Sequence, residues 1–323
     1  MKKEEISIKE LLPNKQEKLF LYDKYFELFV TLYKNNLLPK KILITGQSGI
    51  GKSTFAYHFI NFLLSEKENY SYDYKNFTIN HLNKTFGLIK KNFHPNFYLI
   101  ENFIDKRNID IKQIRNMINY VNKTSFNKQI KFVLIDNAEC LNLHSVNALL
   151  KIVEEPTSNT FFIFIHNSSI KLTDTLRSRC IEFKINFTNQ QKQKIIEFLL
   201  SYYNLRFDKK ILEEIWCMHN SPGIVLNFIK LTNEIPIDPD KTNLLDIIFY
   251  LMEYNLKNKN NTNLDLLQNC IELFFYKKIK KYTNKNKILL NYSKVIKQLN
   301  LLKKYNIDMN NTFYEIKENI VHG

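Results

Sequence analysis

Apolar and polar positions form two kinds of pattern along this chain, and the change falls near residue 187. Before it, short apolar runs alternate with longer stretches whose apolar residues recur every three or four positions. The runs at 41–45, 130–135 and 160–165 predict buried strands, and 181–185 predicts a further one. The stretches 20–34, 53–64, 109–121 and 143–153 predict helices. In the last of these, Leu143, Val146, Leu150 and Val153 share a face, and Pro156 stands just past the end. Residues 65–95 are polar and weakly patterned, which predicts only mixed connecting structure. Buried strands alternating with helices imply an α/β fold, a parallel sheet between two helical layers.

Beyond residue 187 only the helical period remains, at 189–203, 208–219 and 222–231, then at 244–256, 264–282 and 288–305. The proline-bearing stretch EIPIDPD (234–240) separates these groups and reads as a linker. Three parts are expected: an α/β domain over 1–187, a small helical unit over 188–235 and a C-terminal helical bundle over 236–323. No internal repeat is visible.

The bulk numbers change this picture little. With 44% hydrophobic and 24% charged residues, the composition is that of a soluble globular protein. No run of about 18 uncharged apolar residues predicts a membrane span. The opening MKKEEISIKE lacks a secretory apolar stretch, so a cytoplasmic location is expected. The cysteines Cys140, Cys180, Cys217 and Cys270 lie far apart with no CxxC pair, so no zinc site is expected. A net charge of +15 points toward nucleic acid, but the chain is crowded with Lys, Asn, Ile, Phe and Tyr. That bias fits an AT-rich genome and lysines spread over solvated faces. It makes the rarer residues informative. Three of six glycines, Gly46, Gly49 and Gly51, fall together, and two of the five arginines, Arg177 and Arg179, sit in TLRSRC.

Gly46-Gln47-Ser48-Gly49-Ile50-Gly51-Lys52-Ser53, followed by Thr54, fits G-x-x-x-x-G-K-[ST] between a predicted strand and a predicted helix. Glycines let successive N–H groups point at phosphate oxygens, and the helix adds its positive end. Lys52 is then expected to reach the β and γ phosphates, with Ser53 on Mg²⁺, so ATP with Mg²⁺ is the expected cofactor. The run FVLID ends in Asp136, a carboxylate that a buried strand end tolerates when it serves a cation. Asn137 follows it. An amide orients water but takes no proton, so weak or absent ATPase activity is expected. Glu139 lies two residues further on, and nothing in its spacing recommends it as a replacement.

Together with the P-loop and Asp136, NALLKIVEEP (147–156), FFIFIHNSS and LRSRC (176–180) resemble the clamp-loader branch of the AAA+ ATPases. HPNFYLIE (94–101) and IDIKQIR (109–115) narrow the resemblance to the delta-prime family of bacterial DNA polymerase III subunits. It is firm over about 40–232. The C-terminal bundle matches in length and helicity only.

This resemblance implies an AAA+ P-loop domain, a helical lid and a C-terminal collar that joins a hetero-oligomeric ring. Asn167 matches the family's sensor-one residue, which watches the γ-phosphate. Arg179 matches its arginine finger, which acts in trans on a neighbour's ATP. The helix ending in Glu154 and Glu155 is placed near a subunit junction. Implied partners are the motor (gamma/tau) and delta subunits, the sliding clamp indirectly, and primer-template DNA through backbone contacts, with no membrane. The implied function is loading of the clamp onto primed DNA during replication. Two features depart from the motor subunits: Gly223 holds the place of a sensor-two arginine, and residues 55–130 lack their four-cysteine zinc insertion. A self-sufficient motor ATPase remains the first alternative, and a P-loop kinase or repair ATPase the second.

Overall fold

The computed structural model describes residues 12–102, 108–123, 130–154, 159–203, 205, 213, 216, 221–234, 243–258, 264–282, 285–305 and 307–321. The chain forms two compact units, Met1–Tyr203 and Asn204–Gly323. In the first, the elements run α1 (Asp23–Lys34), β1 (Lys41–Gly46), α2 (Lys52–Leu64), α3 (Lys84–Lys90), β2 (Phe97–Ile100), α4 (Ile111–Asn122) and β3 (Lys131–Ile135). They continue through α5 (Leu143–Glu154), β4 (Thr160–Asn167), α6 (Asp174–Arg177), β5 (Ile181–Lys184) and α7 (Asn189–Tyr203). The five strands pair in parallel in the order β2-β3-β4-β1-β5. The α/β class expected from the alternation is observed.

Side chains alternate across this sheet, which dictates two cores. Leu43, Val133, Ile135, Phe162 and Phe164 meet Ile114, Met117 and Val121 of α4 and Val146, Leu149 and Val153 of α5. Neighbouring strand positions face the other way, where Phe29 of α1 packs 4.7 Å from Phe183 of β5 and 5.0 Å from Phe55 of α2, between ring centroids. Phe26, Phe29, Phe55 and Phe59 are essentially inaccessible to water, and burying each contributes about 2–3 kcal/mol. Both layers hold the carboxyl ends of β1 and β3 at the same edge of the sheet, with β4 between them, where a doubly covered parallel sheet presents its ligands.

Local chemistry sets the element ends. Asp110 and Gln113 form a reciprocal capping box at the start of α4. Buried Lys131 reaches back to cap the other end, donating to the carbonyls of Tyr120, Val121 and Lys123. Three elements of this unit were not expected, β2, α3 and the four-residue α6. Strand β2 is only four residues long, Phe97-Tyr98-Leu99-Ile100, too short for a periodic signal. It is recruited by register, Phe97 against Phe132 through Ile100 against Ile135.

The second unit contains helices α8 (Pro222–Glu234), α9 (Leu244–Asn258), α10 (Leu264–Lys281), α11 (Lys285–Tyr305) and α12 (Met309–Val321). Its core includes Leu251, Leu267, Ile271, Val295, Leu299 and Ile316. Helix α12 was not expected; its buried positions Phe313, Ile316 and Ile320 follow helical spacing within a polar stretch. The helix expected over 208–219 and the linker over 234–240 fall largely outside the described residues. No helix among the described residues is long and apolar enough to cross a membrane.

Candidate functional site

Gly46 ends β1 against the chain that follows β5. A Cβ there would stand 2.5 Å from the Ile185 carbonyl oxygen and 2.9 Å from Ile50 Cδ1, so only glycine fits without displacing backbone. Gly49 and Gly51 adopt φ of 74° and 96°, the left-handed region glycine enters freely. Tyr22 braces the loop from outside, its hydroxyl donating to the Ile50 carbonyl at 3.0 Å and its ring stacking on Phe55. The loop from Gly46 to Gly51 thus enters α2, with Lys52, Ser53 and Thr54 as its first residues.

Lys52 is 6% exposed and donates to the carbonyls of Gly46 at 2.9 Å and Gln47 at 2.7 Å. Burial lowers its pKa to about 8, against the opposing pull of Asp136 and Glu139. Ser53 Oγ donates to the Asp136 carboxylate, 3.0 and 2.9 Å from its two oxygens, which joins α2 to the end of β3. Burial pushes the Asp136 carboxyl above its ordinary value, although Ser53, the Asn137 N–H and Lys52 act the other way. Glu139 adds to the rise. Glu101, at the end of neighbouring β2, is raised by burial and then by Asp136.

Carboxylates that burial and mutual repulsion hold above their usual range are relieved by a hard cation, and a hydroxyl beside a carboxylate is the donor pair that Mg²⁺ accepts. The residues present therefore fit a nucleotide with its divalent ion.

Asn137 takes a left-handed φ of 55°; its N–H donates to Asp136 and its side-chain amide to Asn102 Oδ1 at 3.1 Å. Asn167, at the end of β4, accepts from the Ser169 N–H with its side chain, while its own N–H donates to Glu139 Oε2 at 3.1 Å. Glu139 thus ties the Asp136 loop to the Asn167 strand end. That role was missed in the sequence, where only its distance from Asp136 was readable. Lys192 of α7 was missed too; it donates to Gln47 Oε1 at 2.6 Å.

Arg179 stands two residues past the end of α6. Its guanidinium bonds to Glu154 at 2.7 Å and to the Thr175 carbonyl at 3.0 Å. Arg177 pairs with Glu182, which accepts in turn from Thr45. Gly223 lies in the first turn of α8 in the second unit, and Glu155 falls outside the described residues. No cluster of metal-ligating side chains occurs among the described residues.

A parallel sheet ordered β2-β3-β4-β1-β5, with a glycine loop after β1 and an aspartate after β3, defines the AAA+ class of α/β proteins. The chain belongs to the family described as DNA polymerase III, delta subunit, which matches residues 22–189. It is 29% identical over 140 residues to DNA polymerase III subunit delta' of Pseudomonas aeruginosa, covering 43% of this chain and 41% of that one. It is 32% identical over 177 residues to the same-named subunit of Buchnera aphidicola subsp. Baizongia pistaciae, covering 53% and 50%. The chain therefore spans half or less of the length of these relatives. A crystal structure of a DNA polymerase III gamma subunit-related protein from Thermotoga maritima shares the fold at a TM-score of 0.51 and 14% identity, covering 89% of this chain and 96% of that one. The family resemblance carried by the P-loop, NALLKIVEEP and LRSRC is thus borne out.

Proposed function

We propose that this chain is a delta-prime-type clamp-loader subunit, with nucleotide, lid and collar parts over 1–187, 188–235 and 236–323. The family match over 22–189, which includes LRSRC, is the observation that carries this reading. In it, the P-loop holds ATP: Lys52 binds the β and γ phosphates, and Ser53 with Asp136 holds Mg²⁺. Bound ATP supplies an ordered loop and lid rather than turnover by this chain. Asn137 supports that division of labour, since its amide donates to Asn102 and has no basic site for a proton. Asn167 senses the terminal phosphate from the end of β4.

Arg179 supplies the chain's catalytic contribution to an adjacent subunit. A guanidinium that meets charge developing on a transferred phosphoryl group is worth about 10³–10⁵ in turnover. Its planar fork matches phosphate oxygens, which a lysine in its place would not. The partners in this reading are the motor and delta subunits, the sliding clamp through them, and primer-template DNA through its phosphates, in the cytoplasm.

Clamp loading by the reconstituted ring tests the proposal. Omitting this chain should abolish loading of the sliding clamp onto primed DNA; full loading without it would refute the assignment. The motor alternative predicts instead steady ATP hydrolysis by the isolated chain, removed by Lys52→Ala.

A further inference from the structure

The first turn of α7 carries a cation that the P-loop reading leaves without a task. Thr188 and Gln191 cap this helix reciprocally: the Thr188 N–H donates to Gln191 Oε1 at 2.9 Å, and the Gln191 N–H to Thr188 Oγ1 at 3.3 Å. The Lys192 N–H then closes the first turn onto the Thr188 carbonyl at 3.0 Å. The cap thereby aims the Lys192 side chain at the P-loop, where its ammonium donates to Gln47 Oε1 at 2.6 Å. A lysine in a first turn faces the positive end of the helix dipole and is disfavoured there unless something negative answers it. Partial burial lowers its pKa, and no carboxylate among the described residues pairs with it.

Lys52 reaches the same loop residue at its main chain, bonding to the Gln47 carbonyl at 2.7 Å. Two ammonium groups thus converge on Gln47, each bonded to a neutral amide oxygen. Phosphate oxygens are stronger acceptors of such bonds. The lysine of a P-loop addresses the β and γ phosphates, and the second ammonium meets a residue of the same loop.

We propose that Lys192 is a nucleotide-binding residue that contacts the terminal phosphate of a bound nucleoside triphosphate, with the Gln47 side chain holding its place until the phosphate arrives. The inference rests on the P-loop reading and deepens it. It supplies, from the start of α7, a positive charge that Gly223 does not carry.

Calorimetric titration of the full chain with Mg-ATP and Mg-ADP tests the assignment. Lys192→Gln should weaken Mg-ATP binding about tenfold while changing Mg-ADP binding less than about twofold, the loss expected for one charge-assisted hydrogen bond. Lys192→Arg should retain the preference for ATP. Equal ATP affinity in Lys192→Gln and wild type overturns the proposal. So does equal weakening of both nucleotides, which would make Lys192 a structural tether of the loop. If folded wild type binds neither nucleotide, the P-loop reading falls and takes this one with it. If wild type binds and only Lys192→Gln behaves as wild type, the lysine assignment alone falls. A melting curve for each variant identifies loss of fold.

Discussion

Arg179 is held by Glu154 within its own chain: Nε and Nη2 each lie 2.7 Å from the same carboxylate oxygen, and Nη1 donates to the Thr175 carbonyl. The side chains are 36% and 51% exposed, so water screens the pair and its net contribution is about 0–1 kcal/mol. An arginine that left such a pair for another acceptor would give up little by leaving. Glu154→Gln is therefore expected to shift the melting temperature of the isolated chain by no more than about 2 °C. A fall of several degrees would show the pair to be structural.

Gly46 and Gly87 should respond oppositely to the same added methyl group. At Gly46 the new Cβ meets the Ile185 carbonyl at 2.5 Å, so Gly46→Ala should cost about 1–3 kcal/mol and displace the loop. At Gly87, inside α3, nothing lies within 4 Å, and Gly87→Ala should stabilise by about 0.5–1 kcal/mol. Denaturant melts of both variants measure the contrast. Equal and small effects would mean that β5 does not confine the loop.

His58 links the N-terminal segment to α2 and should impose a pH dependence. Its Nε2–H donates to the Gln16 carbonyl at 3.1 Å and its Nδ1 accepts from Tyr72 at 3.0 Å, in a site without solvent access. Burial pushes its pKa down to about 3, with the Gln16 carbonyl opposing. An unfolded histidine takes up a proton near pH ~6.5, which the folded site refuses. This contribution is therefore present above that pH and is lost as pH falls toward the folded value, by about 1.4 kcal/mol per unit. Stability of wild type minus His58→Gln, measured from pH 7 to 4, should fall with that sign; a flat difference would contradict it.

The sheet and its loop were legible because they rest on local signals: apolar runs for β1, β3 and β4, and three glycines at fixed spacing before Lys52. Strand β2 was not, since four residues become a strand only through pairing with β3. Among the site residues, Ser53 and Asp136 were expected to serve one ion and stand within hydrogen-bond distance. Glu139 and Lys192 were not anticipated because their roles arise from contacts across 28 and 145 residues, to Asn167 and Gln47. In a chain with many lysines, only the fold distinguishes the one that the Thr188 cap turns toward the loop.

The division between a P-loop that binds and an arginine that acts elsewhere is tested most directly by single-site variants in the reconstituted ring. Each would be scored for ATP hydrolysis and clamp loading in the presence of primed DNA. Arg179→Ala should lower turnover at the adjacent motor site by about 10³-fold or more, while Lys52→Ala changes turnover per ring less than about threefold. Unchanged hydrolysis in Arg179→Ala, or collapse of hydrolysis in Lys52→Ala alone, would contradict the account.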